Sequence, residues 1–131
     1  MKTYAEFYQA IEKPFFAPPD WMFGVAWGII YPLIAVALVY LAYLTWKKKV
    51  PVSLIVVFAI NLIANLLFTP IQLGLEPLWP ASIDILVVLG TLIYLEWKLL
   101  KYSKIIFVLL LPYLLWGAFA TVLQLTITLI N

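Results

Sequence analysis

From Trp21 to Trp46 the chain runs without a charged residue, and a proline-stiffened loop, Lys13-Pro14-Phe15-Phe16-Ala17-Pro18-Pro19-Asp20, feeds into that run. This pairing constrains the fold more than any other feature. Pro14 and the Pro18-Pro19 pair lack backbone donors and push Lys13 and Ala17 toward extended conformations, so the loop cannot be helical. The run that follows is long enough for a hydrocarbon core of about 30 Å. Trp21, Trp27 and Tyr31 crowd its start, as the aromatic edge of a bilayer favours. The loop therefore reads as a rigid element at a membrane surface, with a transmembrane helix beginning at its end.

Three further runs follow, at about 50–75, 81–97 and 105–130, the third of the four spans carrying Asp84 near its start. Pro32, Pro70 and Pro112 fall inside these spans, where neighbouring helices can re-satisfy the freed carbonyls. The connections are short, so consecutive spans are expected as antiparallel neighbours. Composition agrees: 66% of residues are hydrophobic and 11% charged, with a mean hydropathy of +1.10. A domain of this size has too much surface for its volume to hide so many apolar groups from water. The expectation is an all-α integral membrane protein, one compact bundle of four transmembrane helices forming a single domain over 1–131. Residues 1–20 would be an interfacial segment and Pro-rich loop. Within it, Tyr4, Phe7, Tyr8 and Ile11 make an i, i+3, i+4, i+7 stripe, with Lys2, Glu6, Gln9 and Glu12 elsewhere. That pattern predicts a short amphipathic helix in the headgroup region.

Several chemistries drop out. There is no Cys and no His, which removes disulfides, thiol nucleophiles, thiolate metal sites, the commonest general base and the near-neutral pH switch. No catalytic residue, metal site or required cofactor is expected, and no nucleic-acid partner. No cleavable signal peptide is expected either, because Glu6, Glu12 and aromatics stand where a basic start and an apolar run would be.

The net charge of +2 says less than where the charges sit. Lys47, Lys48 and Lys49 join spans one and two, and Lys98, Lys101 and Lys104 join spans three and four. Antiparallel spans put all six on one face, against Lys2, Lys13, Glu6, Glu12, Asp20 and Glu76 on the other. The positive-inside rule predicts an inner (cytoplasmic) membrane protein with both lysine loops in the cytoplasm and both termini outside. Such a bias argues against a dual-topology exporter.

Inside the spans, Asn61, Asn65 and Gln72 recur at intervals of four and seven, on one face of span two, with Thr69 and Pro70 close by. Amides are too costly to leave in hydrocarbon, so this face should point into the bundle, either as glue between helices or as polar lining for a cavity. Asp84 is the carboxylate expected within the membrane; it either caps its helix near Pro80 and faces headgroups, or serves as a proton or cation site. Trp46, Trp79, Trp97 and Tyr102 fall at span ends, where a belt needs them. Trp27, Tyr31, Phe68, Tyr113 and Trp116 sit deeper; they either pack the core or line a slot for a flat apolar molecule. Cholesterol-type patterns around Tyr43 and Tyr94 are expected by chance in a chain this rich in Leu, Tyr and Lys.

Three blocks resemble the TspO (tryptophan-rich sensory protein, translocator protein, peripheral benzodiazepine receptor) family. Phe7-Tyr8-Gln9-Ala10-Ile11-Glu12-Lys13-Pro14, leading into Pro18-Pro19-Asp20-Trp21-Met22-Phe23 and then Trp27 and Tyr31, is similar to its loop and helix start. Asn65, Thr69-Pro70 and Gly74 match a second block, and Pro112-Tyr113-Leu114-Leu115-Trp116, followed by Ala120-Thr121, a third. The resemblance implies binding, transport or breakdown of porphyrins and haem in a pocket beneath the Pro-Pro loop, which would act as a lid. Together with the face of span two, it nominates Trp21, Phe23, Trp27, Tyr31, Asn61, Asn65, Phe68, Tyr113, Trp116 and Ala120 as ligand-binding residues.

The chain also departs from the family's pattern. The family has five spans, the first preceding the Lys-Pro loop, whereas here twelve residues precede Lys13, so four spans are expected. A homodimer, or the segment before Lys13, would cover the flank this leaves. Phe68 stands for a usual Trp, Gln72 for an apolar or aromatic residue and Gln124 for a usual Asn, and no sterol pattern occurs between Thr121 and Asn131. With methionine only at Met1 and Met22, a bound haem lacks its usual axial ligands, leaving Tyr31 or Tyr113, so stacking is expected in place of coordination. Light-driven porphyrin oxidation through tryptophans is a family-associated activity that the residues alone do not establish. Two other classes stay open: a proton- or cation-coupled exporter using Asp84, and a structural subunit whose aromatics only pack.

Overall fold

The computed structural model describes residues 3–74 and 77–131. Lys2, Leu75 and Glu76, counted above in the amphipathic segment, the second span and the charge balance, lie outside them. Among the described residues the protein is all-α, with α1 (Tyr4–Ala10), α2 (Asp20–Trp46), α3 (Val52–Gly74), α4 (Trp79–Tyr102) and α5 (Lys104–Ile130). Helices α2, α3 and α5 are each long and apolar enough to cross a membrane. The chain is a multi-pass membrane protein.

The helix ends follow from local chemistry. Thr3 caps α1, its hydroxyl accepting from the Glu6 N–H at 3.2 Å. Extended backbone at Ile11 ends it, ahead of Lys13-Pro14. Pro19 is extended and places Asp20 at the first turn of α2, where a carboxylate meets the positive end of the helix dipole. At the other end of α2, Lys48 takes a left-handed φ of 59°. The Lys49 N–H reaches back to the Leu44 carbonyl and the Lys48 N–H to that of Thr45. This is a Schellman closure with lysine where glycine would be unstrained.

Sequence periodicity places a loop between 97 and 105, but α4 continues to Tyr102 and Ser103 alone separates it from α5. Ser103 serves both helices: its N–H donates to the Leu99 carbonyl at 2.8 Å, and its Oγ accepts from the Ile106 N–H at 3.3 Å. Lys98 and Lys101 therefore lie on the last turns of α4. The Asp84 expectation changes as well: Leu78 is the N-cap of α4, and Asp84 lies beyond the first turn without capping it.

Packing runs α2–α3–α4–α5 and back to α2. The main core joins Ile30, Ala37, Leu41 and Leu44 of α2 to Leu54 and Phe58 of α3, Leu92, Leu95 and Leu99 of α4, and Ile106, Leu110 and Tyr113 of α5. A second core at the opposite end joins Tyr8, Phe23, Leu123 and Ile127. Outward-facing side chains such as Val39, Ile63, Leu66 and Leu115 are exposed and apolar, as a lipid-facing surface requires. The lysine end carries its belt: Lys47 lies over Trp46 at 4.8 Å, and Lys98 over Trp97 at 4.6 Å.

Candidate functional site

At the end opposite the lysines, α1, α2, α3 and α5 surround a cavity of about 580 Å³. That lies within the range of about 300–1,000 Å³ typical of small-molecule sites. Helix α2 contributes Trp21, Phe23, Gly24, Trp27 and Tyr31; α3 contributes Asn65, Phe68, Thr69 and Gln72; α5 contributes Tyr113, Trp116, Gly117, Ala120, Leu123, Gln124 and Ile127. Ile85 and Val88 of α4 close the rear, and Tyr4, Ala5 and Tyr8 of α1 close the mouth.

The aromatic wall is an interlocked set. Trp27 stacks on Tyr31 with centroids 5.0 Å apart and meets Tyr113 edge-on at 6.1 Å. Phe23 stands edge-on to Trp116 at 5.5 Å and to both Tyr4 and Tyr8 at 5.3 Å. Edge-to-face pairs of this kind add about 0.5–1.5 kcal/mol beyond area burial, and they hold the rings upright as walls.

Behind the wall runs a hydrogen-bonded relay. The Tyr31 hydroxyl donates to Asn65 Oδ1 at 2.7 Å, and Asn65 Nδ2 donates to the Tyr113 hydroxyl at 2.7 Å. Tyr113 donates onward to Asn61 Oδ1 at 2.9 Å, and Asn61 Nδ2 reaches the Val88 carbonyl and Thr91 Oγ1 at 2.9 and 3.0 Å. One relay thus ties α2, α3, α5 and α4 together at a single depth. Asn61, Asn65 and Gln72 are all buried, and α3 turns them inward as their spacing requires. Between glue and cavity lining, the structure divides them: Asn65 and Gln72 reach the cavity, while Asn61 is spent behind it. Of the ten nominated residues, Asn61 alone is off the cavity wall. Its interval places it on the right face, but a position deeper in the bundle brings Tyr113 between it and the cavity.

The sequence reading missed the contribution of α1. Tyr4, Ala5 and Tyr8 line the mouth, whereas the loop residues from Lys13 to Pro19 do not. The loop acts indirectly. The Tyr8 hydroxyl donates to the Pro18 carbonyl, and Lys13 Nζ donates to the Tyr8 and Ile11 carbonyls at 2.7 and 3.2 Å. Lys13 also lies 5.0 Å from the Tyr8 ring centre. Asn131 pairs through both ends of its amide with the Glu12 backbone, fastening the loop to the end of α5. Burial pushes the Tyr4 phenol well above its ordinary range, with Tyr8 and Asp20 adding to the shift. Tyr8 is raised by burial and then by Asp20. Phe7 and Tyr8, two members of the stripe, are the buried residues of α1, and periodicity alone could have nominated them.

Asp84 lies elsewhere, in a shallow outer groove between α3 and α4 beside Ile60, Ile63, Leu67 and Val87. Glu96 is a finding of the structure: it is buried in α4, and neither carboxyl oxygen has a partner among the described residues.

A sequence profile of the TspO/MBR family matches residues 1–130. Tryptophan-rich protein TspO of Archaeoglobus fulgidus is 36% identical to the chain, over 95% of this chain and 79% of its own length. The Bacillus cereus protein of the same name is 38% identical over 95% of this chain and 80% of its own. The human translocator protein is 32% identical over 89% of this chain and 70% of its own.

Proposed function

Since this chain belongs to the TspO/MBR family, we propose that it is a membrane binding protein for flat, largely apolar ligands, with porphyrin- and haem-type tetrapyrroles as the class. One observation carries the reading: the cavity of about 580 Å³ whose wall is Phe23, Trp27, Tyr31, Tyr113 and Trp116. A planar conjugated ligand gains from burial and from stacking against such rings. The relay behind them keeps the wall rigid, so little ordering is left to be lost on binding. Tyr31 and Tyr113 are committed to Asn65 and Asn61, which favours stacking over axial coordination of a haem iron.

In this reading α4 also crosses the membrane, as the third of four spans, α1 lies in the headgroup layer across the cavity mouth, and the lysine end faces the cytoplasm. A homodimer in the bilayer belongs to the same reading. Transport, sensing or degradation would each begin with the binding step proposed here. An exporter coupled through Asp84 finds less support, because that residue faces an outer groove away from the cavity.

The test is a titration of protein in lipid nanodiscs with protoporphyrin, following tryptophan quenching with empty nanodiscs as the reference. Saturable quenching in the micromolar range is expected. Linear quenching, indistinguishable from partitioning into lipid, would reject the function.

A further inference from the structure

Among the described residues the cavity wall carries one charge, and it stands at the mouth. Every lining side chain is apolar, aromatic or a neutral amide or hydroxyl except Asp20, on the first turn of α2. Asp20 is half-buried, and its charge reaches across the opening: it raises the phenols of both Tyr4 and Tyr8, which close the mouth from α1. Trp21, the next residue, lines the same opening and is 63% exposed.

Two positive groups nearby could cancel the carboxylate. The dipole of α2 supplies about half a positive charge at this end, which leaves the mouth net negative. Lys13, in the adjoining loop, is off the cavity wall, its ammonium donating to the Tyr8 and Ile11 carbonyls. A carboxylate flanked by an exposed ring face suits an organic cation, which pairs with the first and lies over the second. We propose that Asp20 is a specificity-determining residue of this cavity, selecting flat ligands that carry a protonated amine at the edge facing the mouth. The inference rests on the cavity being a ligand site and deepens it. The ring system sits deeper, between Trp27 and Trp116, while the charged edge stays at the opening, where desolvation costs least. A carboxylate at that edge meets like charge and is disfavoured, so a tetrapyrrole enters with an edge free of carboxylates toward Asp20.

Pyrenemethylamine, pyrenemethanol and pyrenecarboxylic acid, substituted at the same ring position, share one flat ring system. At neutral pH their edges are positive, uncharged and negative. Each is titrated by calorimetry against the protein in phosphatidylcholine nanodiscs, whose lipid has no net charge, with empty nanodiscs subtracted and protoporphyrin run alongside. The wild-type protein is expected to bind the amine about tenfold more tightly than the alcohol, the lower end of what a hydrogen bond to a charged group contributes. The acid should bind less tightly than the alcohol. In Asp20→Asn the advantage of the amine should fall to about one, whereas Asp20→Glu, which keeps the charge, should retain most of it. Equal binding of the three probes by wild type, or no binding of any, overturns the proposal even where protoporphyrin saturates. So does a preference undiminished in Asp20→Asn, or one lost alike in the Asn and Glu variants, which would give Asp20 a structural role only. Should the Asn variant fail to fold, salt on the wild type decides: an amine-to-alcohol ratio unchanged between low and high ionic strength rules out a charge contact at the open mouth. Loss of protoporphyrin binding with the amine preference intact would reject the tetrapyrrole class and leave Asp20 as the selecting group.

Discussion

Tyr113 makes the relay continuous, since its hydroxyl accepts from Asn65 and donates to Asn61 inside the bundle. Tyr113→Phe removes one oxygen but strands two amide groups, so its cost exceeds that of a single bond. We expect a loss of about 2 kcal/mol or more, read as a lower midpoint of thermal unfolding in detergent. Unchanged stability would mean that the relay is ornamental. The inward face of α3 was legible because amides must avoid lipid, and Asn61, Asn65 and Gln72 share one side of a helix. Which amide would reach the cavity was not legible, because that depends on which partner arrives from α5. Glu96 escaped notice for a different reason. Reading the span as ending at Trp97 put the carboxylate at a membrane edge, whereas α4 runs on to Tyr102 and buries Glu96 in the bundle.

Among the elements, α1 adds most to what its sequence pattern showed. Its stripe of Tyr4, Phe7 and Tyr8 was readable as an amphipathic helix, but that pattern does not distinguish a helix lying on lipid from one packed over a cavity. The aromatic contacts to Phe23 and the ties to Pro18 and Lys13 pack it over the cavity. Ionisation offers a handle on this docking. Tyr4 and Tyr8 are both raised in the folded state, so they stay neutral where the unfolded phenol, with a pKa of about 10, begins to lose its proton. Docking of α1 is therefore fully stable below about pH 10 and weakens as pH rises above it, because the undocked segment then binds fewer protons than the docked one. The mobility of a spin label carried at Gln9→Cys, an exposed position of α1 in a chain without cysteine, should stay low up to that pH and rise beyond it with both tyrosines in place. The rise should be smaller in a Tyr4→Phe, Tyr8→Phe double variant. Identical pH profiles for the two would contradict the assignment.

For the whole molecule, the two ends of the bundle are built for different tasks. The lysine end has tight closures, at Lys48 and Ser103, and a belt in which Lys47 and Lys98 cover Trp46 and Trp97. The other end trades such closure for a cavity, roofed by α1 and backed by the relay. The all-helical architecture and the lysine asymmetry were plain from the uncharged runs and the loop charges. The cavity itself was visible only as a set of deep aromatics that could equally have packed against one another. Their separation into walls depends on α1 and α5 holding them apart. The central claim is that ligand enters this cavity and does not settle along the belt, so the deciding measurement compares tryptophans at the two ends. Protoporphyrin dissociation constants would be measured for Trp27→Ala and Trp116→Ala against Trp46→Ala and Trp97→Ala, using porphyrin absorbance so that tryptophan number does not matter. The account predicts about tenfold or greater weakening for each of the first pair, a loss of about 1.4 kcal/mol, and values near wild type for the second. Equal effects at both ends, or losses confined to Trp46 and Trp97, would contradict it.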